Sequence, residues 1–157
     1  LALVFVSGAA LQAGAGDNRL GGGVNYWRAV KDVTDEFDED GISWLVSYQY
    51  CPAEMFRLEA DVEIFPDGLL GVGDTAYGPQ AFAIVGGAIY AGLGIGIYYA
   101  EEWADDPFYV LRIGVDLEVI PEALHLDIYG RYQFTEWGDI DIDTDTVILG
   151  GAVRFEF

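Results

Sequence analysis

The chain has 157 residues, a length that suits one domain. Its formal charge is −20, with 27 acids against seven Lys and Arg, so it lacks the clustered cations that binding nucleic acid requires. Mean hydropathy is nonetheless +0.24, which excludes disorder and suits a chain that sorts apolar and polar surface strand by strand.

Residues 1–16, LALVFVSGAALQAGAG, are apolar and uncharged. The run is too short to span a membrane as a helix. It reads as the apolar and cleavage regions of a secretory signal, with Ala13-Gly14-Ala15 as the cleavage site, against the alternative of a short buried N-terminal element. On the signal reading, 17–157 is the single structural domain.

Strand-like alternation begins at 19–30, with Val24 and Tyr26 on one face and Gly21, Gly23 and Asn25 on the other. An acidic loop follows at 31–41. In the strand at 42–51, Ile42, Trp44, Val46, Tyr48 and Tyr50 alternate with Ser43, Leu45, Ser47 and Gln49. This strand ends on Cys51, the lone cysteine, so neither an internal disulfide nor a cysteine metal cluster is expected. Pro52-Ala53-Glu54 makes a tight turn. The strand at 55–65 is the cleanest: Phe56, Leu58, Ala60, Val62 and Ile64 oppose Arg57, Glu59, Asp61 and Glu63.

After a glycine-rich loop at 66–78, a strand near 79–85 has no readable phase. Gly86-Gly87 signals a hairpin, leading to a strand over 88–100 with Ile89, Leu93, Ile95 and Tyr99 facing away from Gly92, Gly94 and Gly96. A second acidic loop spans 101–107. Residues 108–134 hold two long alternating runs joined by a turn at Pro121 and Glu122. Leu111, Ile113, Val115, Leu117 and Val119 oppose Arg112, Asp116 and Glu118; Leu126, Ile128, Tyr132 and Phe134 oppose His125, Asp127, Tyr129 and Arg131. The third acidic loop is 135–146. The last strand, 147–157, sets Leu149, Val153, Phe155 and Phe157 against Arg154 and Glu156.

Eight strands joined by alternating long and short connections read as an all-β, eight-stranded antiparallel up-and-down barrel. All the long loops fall at one rim and the tight turns at the other. Each long run holds its alternation for about the ten residues a tilted strand needs to cross a bilayer. Period two does not say which face is concave. A secreted soluble calyx binding an apolar ligand would put Leu, Ile and Val inside; a transmembrane barrel puts them outside. The asymmetry of loops and turns, together with aromatics near strand ends (Trp44, Tyr48, Tyr50, Tyr99, Tyr132, Phe134 and Phe155), favours the transmembrane form.

The closing segment GGAVRFEF, with Val153, Phe155 and Phe157, resembles the terminal strand of bacterial outer-membrane proteins. The whole chain resembles the small eight-stranded barrels of the OmpA/OmpX type. That resemblance implies an outer-membrane location, contact with outer-membrane lipid, and Val153, Phe155 and Phe157 as a signal to the barrel-assembly machinery. The strongly acidic loops depart from the pattern.

A lumen this narrow is filled by side chains. The expected filling is a network of Arg57, Glu59, Asp61, Glu63, Arg112, Asp116, Glu118, Asp127, Arg131, Arg154 and Glu156, with Tyr90, Tyr98, Tyr109 and Tyr129, closed to ion flow. No catalytic residue is assigned and no cofactor is expected. His125 is the only histidine and pairs at i, i+2 with Asp127. Ser47 on the inward face is the candidate nucleophile for a second alternative, a lipid-modifying membrane enzyme; Ser43 sits towards the opposite rim from His125. Fifteen of the 27 acids lie in the three acidic loops, a concentration suited to a divalent cation or a basic partner. Asp139, Asp141, Asp143 and Asp145 are the candidate ligands for a weak cation, although the glycine and the closing Glu of an EF-hand are missing. A solvated rim is the simpler account of that run.

Overall fold

The structure, a computed structural model, describes residues 17–29, 40–68, 73–137 and 146–157. Residues 1–16, most of the first acidic loop and Asp139, Asp141, Asp143 and Asp145 lie outside the described residues, so the signal and cation expectations are not addressed by it.

Among the described residues, ten strands form one antiparallel sheet: β1 Asp17–Ala29, β2 Asp40–Ala53, β3 Phe56–Phe65, β4 Ala76–Gly86, β5 Ile89–Gly96, β6 Tyr99–Ala100, β7 Glu102–Trp103, β8 Phe108–Ile120, β9 Leu124–Phe134 and β10 Thr146–Glu156. Eight of them make the wall. β1 pairs with both β2 and β10, and β3 pairs with β4, so every wall strand has two neighbours and the sheet closes. Closure removes the free edges that would otherwise template aggregation. β6 and β7 are a two-residue ribbon hung on β4 through Tyr77 and Tyr99.

The expected strand at 88–100 therefore stops at Gly96, and the ribbon takes its last residues and part of the 101–107 loop. The strand expected near 79–85 starts earlier, at Ala76. Its phase was unreadable because both of its faces are apolar: Phe82 and Ile84 point inward while Ala81, Ala83 and Val85 point outward.

The short turns gather at one end. In the β4–β5 turn, Gly86 adopts φ 122°, and a Cβ there would sit 2.4 Å from the Ile89 carbonyl oxygen, so only glycine fits. In the β8–β9 turn, Glu122 has φ 56° and its amide donates to Glu118 Oε1 at 2.8 Å.

Period-two alternation now resolves into an outside and an inside. Val46, Leu58, Leu93, Ile113, Ile128 and Leu149 point outward and are exposed, Ile113 at 69%. Arg112, Arg131 and Arg154, at 1–2% exposure, fill the interior. The calyx alternative required the opposite and is excluded by this orientation.

Candidate functional site

The lumen is layered. At its centre, Arg112 donates to Glu59 Oε1 and to Asp127 Oδ2, both at 2.6 Å, and its Nε reaches the Tyr90 hydroxyl at 3.0 Å. Tyr90 in turn donates to Asp127 Oδ1 at 2.6 Å. Arg154 shares the same two carboxylates, bonding Asp127 and reaching Glu59 at 3.2 Å, while its Nε donates to Ser47 at 2.9 Å. The Arg112 guanidinium lies 4.0 Å over the Tyr129 ring. Buried charges survive only when paired and hydrogen-bonded, and this layer meets that condition except at Asp61. Both Asp61 oxygens lack a hydrogen-bond partner, and the nearest cation, Arg112 Nη1, is 3.8 Å away.

Above this layer, towards the long loops, Glu63 accepts from Asn25 and Gln80 at 2.9 Å each and from Ser43, with Arg131 Nη2 at 3.3 Å. Higher still the lumen turns apolar. Trp27, Phe65, Ala76 and Ile148 cluster there, and Tyr98 packs on Phe65 and, at 4.4 Å between ring centroids, on Phe108. Several lumen rings lie against glycines. A Cβ on Gly94 would fall 2.5 Å from Phe82, and one on Gly96 2.4 Å from Phe108. The glycines of β5 thus clear space for the rings opposite them.

At the short-turn end, Asp116 is the hub of a third group. Its Oδ2 accepts from Arg19 Nη1 at 2.7 Å and from Arg57 Nη1, and its Oδ1 lies 3.0 Å from His125 Nδ1. Arg19 Nε also bonds Glu156 Oε2 at 2.7 Å.

Of the eleven residues expected in the lumen network, Arg57, Glu59, Asp61, Glu63, Arg112, Asp127, Arg131 and Arg154 are buried there, and Asp116 and Glu156 line the short-turn mouth. Glu118 stands at the same mouth but outside the ion-pair network: it lies past the point where β8 leaves β5, is exposed, and caps the β8–β9 turn. Tyr109 is a correction. It shares parity with Leu111 and faces outward, stacked on Phe134 and Trp137. The His125–Asp127 pair is another: His125 turns to Asp116 and Glu156, while Asp127 is taken by Arg112, Arg154 and Tyr90.

Sequence reasoning missed Arg19, Asn25 and Gln80 as lumen residues, and the apolar layer with Trp27, Phe82 and Phe108. Arg19 was findable, since it shares parity with Gly21, Gly23 and Asn25 on β1. The apolar filling carried no signal, because an inward Phe beside an outward Ala reads like any apolar run. Val153, Phe155 and Phe157 all point outward and are exposed.

An ionic lumen inside an apolar wall with closed strand pairing defines an eight-stranded transmembrane barrel, crossed by strands and not by helices. The fold is that of the small bacterial outer-membrane barrels. It is similar to the N-terminal β-barrel domain of OprF from Pseudomonas aeruginosa, at 12% identity, TM-score 0.58, and coverage of 92% of this chain and 99% of that one. Neisserial surface protein A, NspA, matches at 16% identity and TM-score 0.59 over 91% and 98% of the two chains. Ail, the attachment invasion locus protein of Yersinia pestis, solved in complex with the heparin analogue sucrose octasulfate, matches at 13% identity and TM-score 0.55 over 92% and 100%. No protein-family model matches the chain, and no curated protein matches it by sequence.

Proposed function

We propose that this protein is a structural or surface-interaction barrel of a bacterial outer membrane, with a lumen closed to ions and its long acidic loops at the cell surface. The observation that carries this reading is the filled interior. The Arg112–Glu59–Asp127–Arg154 layer spans the lumen, and the Trp27, Phe65 and Ile148 layer, joined to Phe108 through Tyr98, lies above it. With transport through the lumen blocked, function passes to the outer surfaces. At the long-loop end Asp40, Asp67, Asp74, Glu101, Glu102, Asp105, Asp106 and Glu136 are all exposed. They suit a basic partner, or divalent cations of the kind that bridge lipopolysaccharide phosphates.

Ser47 and His125 do not pair with each other among the described residues, so the lumen offers no nucleophile–base pair between them. Ser47 is held by Arg154, and His125 is engaged by Asp116 and Glu156. The exposed Val153, Phe155 and Phe157 suit handover to the barrel-assembly machinery and then contact with outer-membrane lipid. Planar-bilayer recording of the refolded protein tests the closed lumen. The expected trace is silent; large, steady single-channel currents would overturn it. Calorimetric titration with Ca²⁺ tests the cation reading, which fails if neither heat nor a melting shift appears.

A further inference from the structure

We infer that the short-turn mouth of the barrel binds a small zwitterion, an amino acid or short peptide, with its carboxylate on Arg57 and its ammonium at an acidic rim. This goes beyond the surface role proposed above. Binding itself does not depend on that role, although entry from the periplasm does.

The mouth opens into a cavity of about 880 Å³, within the range of small-molecule sites. Access is one-sided, because the ionic and apolar layers close the lumen above it. The floor holds Arg19, Arg57, His125, Asp116 and Glu156. Arg57 is 4% exposed, lies 4.6 Å over the Tyr90 ring, and hydrogen-bonds only through Nη1, to Asp116. Its Nε and Nη2 have no hydrogen-bond partner. These two nitrogens share the edge of the guanidinium that grips a carboxylate in bidentate fashion. A buried donor pair left empty is costly, so an oxyanion arriving there gains more than it would at the surface. Both atoms are closed to solvent in this structure, so the proposed site requires the Arg57 side chain to shift as the carboxylate enters.

A simple anion is disfavoured by the rest of the lining, which sets six carboxylates against two guanidiniums. Asp17, Glu54, Glu118 and Glu122 stand exposed around the opening. Among the described residues none of these four has an ion-pair partner. A molecule carrying only an amine would satisfy this rim and leave Arg57 empty; one carrying only a carboxylate would cross four uncompensated charges. Both ends are used by a ligand with an acid at one end and an ammonium at the other.

The test is an NMR titration of the refolded barrel in detergent micelles, reading the Arg57 Nε–H and His125 ring signals. Diglycine is the zwitterionic probe; acetate and ethylamine carry its two charges separately. Saturable shifts with diglycine, at least about tenfold weaker for either single-charge probe, are the expected result. Arg57→Gln should abolish the response. Should that variant fail to fold, Glu54→Gln with Glu122→Gln changes only exposed rim residues and should weaken binding while leaving heat-modifiable gel mobility intact. No saturable shift at tens of millimolar diglycine, equal shifts from all three probes, or full binding by the rim variant would each overturn the inference. A barrel that folds, stays electrically silent and ignores diglycine would refute this site and leave the proposed function standing.

Discussion

Charge in the lumen is stabilising only where each member finds its partners, and Arg112 and Asp61 illustrate the two sides of that rule. Arg112 satisfies Glu59, Asp127 and Tyr90 at once. Replacing it with Met leaves Glu59 and Asp127 sharing Arg154 as their one remaining cation, and stability in a urea-unfolding series should fall by about 3–5 kcal/mol. Asp61 sits beside it with no hydrogen bond to either oxygen. Asp61→Asn replaces an acid set against Glu59 with a neutral amide of the same shape, so the same measurement should find it neutral or stabilising. Equal losses for the two variants would show that the layer does not discriminate among its carboxylates.

The strands act as two-faced elements, and their outward face answers to lipid. Ile113 lies mid-strand on β8, opposite Ala91 on β5 and Gly130 on β9, and is exposed. Ile113→Arg places a cation in hydrocarbon and should cost about 2–4 kcal/mol of stability in refolded liposomes. Val119 lies near the β8–β9 turn, beyond the end of β8's pairing with β5, and Val119→Arg should cost no more than about 1 kcal/mol. A flat profile between the two positions would place β8 outside the bilayer. The element scale is also where the sequence was most legible. The alternation of β3, β8 and β9 read directly, because each has one charged or polar face and one apolar face. β4 did not, because its inward Phe82 and Ile84 are as apolar as its outward residues.

For the whole molecule, two filled layers stand in series along the lumen, an apolar one near the long loops and an ionic one at the centre. Trp27→Ala with Phe108→Ala should empty the first and leave the second. Bilayer recordings of this variant should remain silent, since the Glu59, Asp127, Arg112 and Arg154 network still spans the interior. Steady conductance would move the barrier to the aromatic layer. Both layers leave the short-turn mouth open, which is why the molecule resembles a cup more than a tube.

The sequence by itself determined the strands, their two faces and the separation of long loops from tight turns, because period-two alternation and turn chemistry are local properties of the chain. It carried much of the lumen list for the same reason: parity along one strand assigns a side. Only the tertiary structure decided which residues meet. Arg19 reaches Asp116 across 97 positions and Ser47 reaches Arg154 across 107, and no local pattern encodes such pairings. Closure of the sheet set them, and it also decided that Glu118 stays at the exposed rim and that His125 turns from Asp127 to Asp116. A side chain's partners in a barrel depend on strand register and on the opposite wall, and both exist only once the first and last strands have joined.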